Sequence, residues 1–256
     1  MRLGLVLAEG HEKELARLAE EHGLFGVLAG SGDPLTAVNA AVYASTATEF
    51  ARIIVRVSLG LEHPVLIAEE LAVLDNVNNG RTVVLADTEE LDEEAAEDEI
   101  AVLREALAGR PVQHDGPVWK VPAGLPANVT APKSISVTPK PAQIEVPFWI
   151  TGRAGVAISA RDRSLALLAL SPADLDGARP LQSARDAISG DVARDRERLT
   201  TWAGAGVTHL LIDLPEGPVG DLLTAISRYL APEVGMPHFP RVMSESKVPL
   251  PWPGER

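Results

Sequence analysis

The chain of 256 residues contains no cysteine, and only 4% of its residues are aromatic. Disulfide bonds, thiolate metal sites and cysteine nucleophiles are therefore excluded, and a reducing, cytoplasmic location is expected. No segment reaches the roughly 18 consecutive apolar residues that a membrane-spanning helix requires. The apolar run that ends before Glu9 is also too short for a secretion signal. We therefore expect no membrane partner.

Basic residues are scarce, because 23 Lys and Arg stand against 36 Asp and Glu, for a net charge of −13. This charge repels phosphate backbones, so nucleic acid is not expected as a partner. Nine of the carboxylates lie between Asp87 and Glu99, in a segment without Lys or Arg. The segment predicts a solvated helix face whose acids are favoured by the dipole at the helix N-terminus.

The common catalytic and nucleotide-binding motifs are missing as well. The sequence has no Walker A motif, no dinucleotide-binding glycine pattern and no G-x-S-x-G serine elbow. Its six histidines are scattered without the spacing of metal ligands, so we predict no metal site. None of these patterns assigns a catalytic residue.

What the chain does contain is an alternation of apolar strands and helices. Strands are predicted at 3–8, 24–29, 50–59, 81–86, 146–150, 164–170 and 207–213. Strands that are apolar on both faces pair in parallel with helices outside them. This pattern fits a (β/α)8 TIM-type barrel or a doubly wound sheet. A helix is predicted from Ala184 to Ala203 and no strand between it and Leu170, so a barrel would lack one strand–helix unit.

The pattern predicts a single barrel domain over residues 1–235. Within it, the proline-rich segment 111–147 is predicted to form a hairpin and an irregular excursion that packs on the body of the protein. Residues 236–256 are rich in proline, serine and charge. They are predicted to be extended or disordered.

The central segment resembles a known family. It reads HPVLIAEELAVLD at 63–75 and NNGR at 78–81. This is similar to the stretch R-x-P-x-x-x-A-E-x-x-A-x-L-D-x-x-S-x-G-R of the bacterial luciferase-like group of flavin- or deazaflavin-dependent oxidoreductases. Weaker similarity follows in order along the chain, at Pro111-Val112 with Gly116 and Trp119, at 146–152 and at 204–210.

The resemblance implies a (β/α)8 barrel that binds FMN or coenzyme F420 at the carboxyl ends of its strands. A small organic substrate would be oxidised with oxygen, or by hydride transfer to F420. The resemblance also implies a homodimer, or a heterodimer with a related subunit, and makes a flavin reductase a candidate partner. The small-residue helices predicted at 37–47 and 65–74 are the candidate surfaces for packing on the partner subunit.

A departure from the family pattern supports an alternative hypothesis about the function. The family has a glycine-rich turn after the fourth strand, where this chain has Leu85-Ala86-Asp87-Thr88. The Asp87 carboxylate would repel a phosphate. Together with the missing strand–helix unit and a chain shorter than is typical of the family, this departure supports an alternative: a degenerate, non-catalytic barrel that acts as a partner subunit or a small-molecule binder.

Four residues are predicted to bind the cofactor. Thr151, Gly152 and Arg153 follow a strand and open a helix, where backbone N–H groups and a cation suit a phosphate. Ser58 ends the third strand, where the resemblance implies contact with the flavin ring.

Three histidines have structural interpretations instead. His63 precedes Pro64 at a helix start, so it is predicted to cap that helix. His209 lies inside an apolar strand and is predicted to be a hydrogen-bonded core residue. His114 belongs to the proline-rich excursion and is predicted to lie on the surface.

Overall fold

The architecture comes from a computed structural model, which describes residues 1–30, 36–123, 130, 132–162, 164–175, 182–215 and 218–226. Eight parallel strands close into one barrel in the order β1-β10-β9-β8-β7-β4-β3-β2. They are β1 (Arg2–Val6), β2 (Gly26–Ala29), β3 (Arg52–Ser58), β4 (Thr82–Asp87), β7 (Phe148–Thr151), β8 (Ala166–Ala169), β9 (Ser183–Ala187) and β10 (His209–Asp213). The predicted (β/α)8 barrel is confirmed, and the doubly wound sheet is excluded.

Helices pack around the barrel and follow most of its strands. They are α1 (Glu12–Glu21), α2 (Ala37–Thr46), α3 (Pro64–Val77), α4 (Glu93–Leu107), α5 (Arg153–Arg161), α6 (Val192–Gly204) and α7 (Val219–Ala225). A short 3-10 helix, Pro172–Asp174, follows β8. None of the helices within the described ranges is long and apolar enough to cross a membrane. The tail predicted at 236–256 lies outside the described residues.

The prediction that one strand is lost was wrong. The strand that was not predicted is β9, the seventh barrel strand along the chain; it occupies the start of the predicted helix, while α6 begins only at Val192. Asp191 caps α6, since its carboxylate accepts the N–H groups of Ala193 and Arg194 at 2.9 and 3.0 Å. The strand escaped detection because its inward residue Arg185 breaks the apolar run that marks the other strands.

Alternate residues of each strand face the barrel interior or the helices. Seven of the strands contribute apolar side chains to the interior: Val6, Leu28, Ile54, Val83, Leu85, Trp149, Leu168 and Leu211. Gly4 also faces inward, where a Cβ atom would lie 2.7 Å from Leu211 Cδ2 and 2.9 Å from Phe25 Cε1. The interior is therefore filled by side chains over most of its length, and space for polar groups remains at the ends.

The predicted excursion contains the predicted hairpin. Its strands are β5 (His114–Asp115) and β6 (Lys120–Val121), which pair antiparallel. Val112 and Ile135 exchange two backbone hydrogen bonds of 2.7 and 3.1 Å, which join the start of this region to a segment that follows the hairpin. The hairpin packs beside α4 and the loop that precedes α3.

Candidate site at the carboxyl ends of the barrel strands

Three neighbouring strands end with polar side chains at one level of the barrel. Ser58 is in register with Asp87, and Asp87 is in register with Thr151. All three occupy inward positions, because the residues before them belong to the layer that packs on the helices. Two of the four predicted cofactor-binding residues, Ser58 and Thr151, are thus brought together on one wall. In TIM-type barrels this end carries the active site.

Below this row, an arginine inside the barrel is neutralised by the neighbouring strand. Arg56 Nε lies 2.8 Å from Asp87 Oδ2, and Arg56 Nη2 donates a second hydrogen bond to the same oxygen. The Asp87 side chain is 8% exposed and that of Arg56 is 26% exposed. Asp87 Oδ1 also accepts the backbone N–H of Glu89 at 3.1 Å. The Asp87 carboxylate, which was predicted to repel a phosphate, is therefore paired with a cation.

A second pair of the same kind lies on the opposite wall. Arg185 Nε and Nη2 donate to the two carboxylate oxygens of Asp213 at 2.7 and 2.8 Å. The offset matches the first pair: each arginine is in register with a leucine, and its aspartate lies two residues further along that leucine's strand. Two strands separate the β3–β4 pair from the β9–β10 pair on either side of the closed barrel.

Hydrogen bonds from two threonine hydroxyl groups fix the turn from β7 into α5. Thr151 Oγ1 donates to the Leu168 carbonyl oxygen at 3.1 Å. Thr88 Oγ1 donates to the Thr151 carbonyl oxygen and accepts the Gly155 N–H, both at 2.8 Å. Thr88 therefore occupies one N–H of the first turn of α5 and fastens the loop after β4 to this turn.

Gly152 and Arg153 complete the predicted phosphate site. Gly152 has a φ of +88°, and a Cβ there would lie 2.9 Å from both Glu89 N and Thr88 Oγ1, so only glycine fits. Arg153 is exposed and forms no ion pair with any residue that the structure describes. The N–H groups of Arg153 and Ala154 and the Arg153 guanidinium are what this turn offers to an anion.

Sequence reasoning missed Arg56, Arg185 and Asp213 as members of this site. Each ion pair joins two strands that are distant in sequence, so neither pair forms a local motif. One signal was present in β3: Arg56 lies two residues after Ile54 and two before Ser58, so it shares their inward face of an otherwise apolar strand and requires a counter-ion.

His63 has the structural role that was predicted. Its Nδ1 accepts the N–H of Val65 at 3.2 Å, which caps α3. Its ring lies edge-on to Trp119 with centroids 4.7 Å apart. His63 therefore joins the start of α3 to the β5–β6 hairpin.

The prediction of a surface position for His114 was wrong. Its side chain is 14% exposed, and Nε2 lies 2.6 Å from Asp98 Oδ1. Asp98 Oδ2 accepts the N–H groups of Val118 and Trp119 at 3.0 and 2.7 Å. Burial raises the pKa of Asp98, but hydrogen bonds from Trp119, His114 and Val118 outweigh it, and the pKa is lowered overall. Asp98 therefore anchors the hairpin as a carboxylate.

The prediction of a solvated acidic face holds for only part of α4. Glu93 and Glu94 lie in its first turn, and Asp92 caps it by accepting the Ala95 N–H at 2.9 Å. Asp98 and Glu99, in contrast, are buried. Burial raises the pKa of Glu99, although its carboxylate accepts the N–H of Gly60 at 3.0 Å. The excursion covers this face of the helix, and the local sequence pattern does not show such a contact.

His209 is hydrogen-bonded, as predicted, but it is only partly buried, at the start of β10. Its Nδ1 lies 2.9 Å from Thr208 Oγ1, and its ring contacts Phe25 edge-on with centroids 4.8 Å apart. Trp149 completes this aromatic group at the amino ends of the strands. Burial, with smaller contributions from Arg2 and the N-terminal ammonium, lowers the pKa of His209 to about 4. His209 is therefore neutral inside the folded protein at pH 7.

A cavity among the described residues lies away from the ion pairs. It has a volume of about 990 Å³ and is lined by the starts of β7 and β8 and the end of α4. These parts of the strands face the opposite end of the barrel, so this cavity is separate from the predicted site.

Comparison with known proteins supports the family resemblance. The model of the luciferase-like monooxygenase family matches residues 8–86, which begin just after β1 and reach into β4. This match confirms the resemblance to the luciferase-like group that the central segment predicted. A comparison with curated proteins finds no match.

Solved structures extend the similarity over most of the chain. The F420-dependent tetrahydromethanopterin reductase from Methanopyrus kandleri has a TM-score of 0.67 at 13% identity, over 91% of this chain and 99% of that one. The oxygenating constituent of 3,6-diketocamphane monooxygenase from Pseudomonas putida has a TM-score of 0.63 at 12% identity, over 93% and 99%. The EDTA monooxygenase from Chelativorans has a TM-score of 0.61 at 11% identity, over 93% and 98%. At these identities the similarity shows the shared barrel fold.

The lowered pKa of the partly buried His209 predicts a pH-dependent stability. Between pH 6.5 and about 4 the unfolded chain binds a proton here that the folded chain does not, so stability falls as the pH falls. We expect this histidine to contribute a loss of about 1.4 kcal/mol per pH unit across that window. Urea unfolding of His209→Gln at several pH values should show a flatter slope than the unchanged protein. The exposed control His11→Gln should keep the original slope, and an equal slope in His209→Gln would contradict the assignment.

The double role of Thr88 predicts a sizeable cost for removing its hydroxyl. Thr88→Val keeps the side-chain volume but leaves the Gly155 N–H and the Thr151 carbonyl oxygen without this partner. We expect the free energy of unfolding in urea to fall by about 1–3 kcal/mol. Thr200→Val is the matched control, because the Thr200 hydroxyl bonds only the Arg196 carbonyl oxygen on the exposed side of α6. A Thr88 variant as stable as the control would contradict this role.

Proposed function

We propose that this protein is an oxidoreductase that uses FMN or coenzyme F420 to oxidise or reduce a small organic substrate. The observation that carries the proposal is the polar group formed by Ser58, Asp87 and Thr151 at the carboxyl ends of the strands. It lies in a barrel whose first 86 residues include the match to luciferase-like monooxygenases. The structure from M. kandleri is of an F420-dependent reductase, and that from P. putida is in complex with FMN.

The residues at this end of the barrel fit such a cofactor. Ser58 and the Arg56–Asp87 pair offer hydrogen-bond donors and acceptors to the polar edge of a flavin or deazaflavin ring. The first turn of α5 offers N–H groups and the exposed Arg153 cation to a phosphate. Pairing with Arg56 neutralises Asp87, so this carboxylate does not oppose a phosphate with a full charge.

In this assignment the protein positions the cofactor and the substrate, and the cofactor carries out the chemistry. A bound flavin or deazaflavin supplies hydride or oxygen chemistry. Gly152 permits the close approach of the β7–α5 turn to the loop after β4, and Thr88 fixes that approach. The apolar layer around Leu85 and Leu211 closes the barrel below the site against water.

A second candidate function is a non-catalytic barrel that acts as a partner subunit or small-molecule binder. One observation favours it: Thr88 already occupies the Gly155 N–H at the start of α5, which reduces the donors left for a phosphate. The loss of a strand no longer supports this alternative, because β9 completes the barrel.

A titration with cofactor separates the two functions. We expect FMN or F420 to bind saturably to the purified protein, as followed by absorbance and fluorescence. Arg153→Met should weaken binding of FMN about tenfold, as the loss of a charge-assisted hydrogen bond requires. The same variant should leave the affinity for riboflavin, which has no phosphate, unchanged.

The control for this titration is Arg161→Met, at the other end of α5, where the side chain pairs with Glu93 and Glu97 on the surface. It should bind both flavins like the unchanged protein. If the folded protein binds neither FMN nor F420, the oxidoreductase is contradicted and the non-catalytic barrel is favoured.

We further propose that the protein is a dimer of two copies that meet on α2 and α3. Three large apolar side chains form one exposed stripe of α3, namely Leu66, Val73 and Val77, which are 55%, 48% and 53% exposed. Tyr43 on the neighbouring α2 is 51% exposed. A second copy is the fitting occupant, because an apolar stripe is self-complementary while the net charge of −13 keeps copies apart elsewhere.

Sedimentation velocity tests this dimer. The unchanged protein should sediment with the mass of two chains, and Val73→Glu should sediment as a folded monomer. Val118→Glu places the same charge on an exposed apolar residue of the hairpin and should remain a dimer. An unchanged protein that is monomeric at all concentrations would exclude the homodimer and leave a related subunit as the partner. The cytoplasmic location and the flavin reductase stay predictions.

A further inference from the structure

The Arg185–Asp213 ion pair is more exposed to solvent than an ion pair that only stabilises the barrel needs to be. It lies inside the barrel, above Leu211, yet the two side chains remain 28% and 34% exposed. Both are therefore reached from the open end of the barrel. On the opposite wall Arg56 is 26% exposed, close to Arg185, but Asp87 is only 8% exposed. The β9–β10 pair is thus the more accessible of the two.

The hydrogen bonds between Arg185 and Asp213 determine which donors and acceptors of the two side chains are left for a ligand. Nε and Nη2 of Arg185 engage the two oxygens of Asp213 side by side. The outward N–H groups of the guanidinium remain beside the remaining lone pairs of the carboxylate. The pair therefore presents a donor next to an acceptor on one rigid, planar edge, with no net charge.

We propose that Arg185 and Asp213 form a substrate-recognition site for a planar, uncharged group in which an N–H adjoins a carbonyl, as in a lactam, cyclic imide or ureide. A carbonyl oxygen would accept from Arg185 while the adjoining N–H donates to Asp213. A carboxylate ligand is disfavoured, because Asp213 would repel it and already holds the fork of Arg185.

The position of the pair assigns it to the substrate instead of the cofactor. The proposed contacts of the cofactor ring lie on β3 and β4, and Arg185 and Asp213 face these two strands across the barrel, while the proposed phosphate site follows β7, between the two walls. A substrate held on the β9–β10 wall would therefore be directed towards the ring. This assignment rests on the proposed function, although the recognition of an amide edge by the pair does not depend on it.

Binding of uracil, measured by saturation-transfer NMR and calorimetry, tests the proposal because uracil is planar and has adjoining N–H and C=O groups. The protein should bind it saturably and bind 1,3-dimethyluracil, which has no N–H, at least about tenfold more weakly. Benzoate should not compete. The double variant Arg185→Met/Asp213→Leu, which keeps the net charge, should lose uracil binding. The exposed pair on α1 supplies the control Arg17→Met/Glu21→Leu, which should retain it.

Circular dichroism checks that each variant is folded. If the double variant does not fold, Arg185→Lys keeps the charge and removes the planar fork, and it should weaken uracil binding about tenfold. Absence of saturable uracil binding, equal binding of the dimethyl analogue or unchanged binding by the variant would each overturn the proposal. Displacement of uracil by saturating FMN would also overturn it, because the pair would then belong to the cofactor.

The same preparations distinguish this proposal from the proposed function. Failure of FMN and F420 to bind the unchanged protein contradicts the oxidoreductase, whatever uracil does. Normal cofactor binding without uracil binding contradicts only the assignment of Arg185 and Asp213.

Discussion

Closure of the eight-stranded sheet is the constraint on which the rest of this structure depends. Once the sheet closes, every second side chain of each strand enters a narrow interior that water does not fill. Apolar residues satisfy this condition directly, and Gly4 satisfies it by leaving room for Phe25 and Leu211. An inward arginine satisfies it only if a neighbouring strand supplies a carboxylate. The two ion pairs are therefore consequences of closure as well as features of the site.

The same constraint decides where polarity can collect. The middle of the barrel is apolar, and the charged pairs lie where the strands end and solvent can reach them. Around them the backbone is fixed by hydroxyl groups: Thr151 bonds β8, and Thr88 bonds both β7 and α5. The carboxyl end of the barrel thus combines a rigid backbone with partly exposed charge, and this combination suits recognition of a polar ring.

Much of the fold could be predicted from the sequence, because seven strands carry the apolar runs that two-sided burial requires. The helix cap formed by His63 could also be predicted from the sequence, since a residue before a proline at a helix start has few other local roles. β9 could not be predicted from its sequence in this way. Its five residues, SARDA, contain a single inward charge that looks like a helix surface until the counter-ion on β10 is known.

The candidate site was predicted only where local sequence determines it. Thr151, Gly152 and Arg153 form a contiguous turn, whereas Arg56 and Asp87 meet only because β3 and β4 pair in one register. The errors at His114 and in the acidic segment have the same origin. Asp98 bonds the backbone of a hairpin about twenty residues away, and no property of the helix alone reveals that it is covered.

The equal offset of the two ion pairs has a consequence for how such a barrel diverges. Each pair is neutral, so both members can be exchanged for apolar residues without altering the net charge of the protein. Loss of one member alone leaves an uncompensated charge inside the barrel, which is strongly unfavourable. Positions 185 and 213 are therefore expected to vary together among relatives, and positions 56 and 87 likewise. Relatives of this barrel would then change their specificity by substituting both members of one ion pair, while the residues of the other wall still bind their ligand.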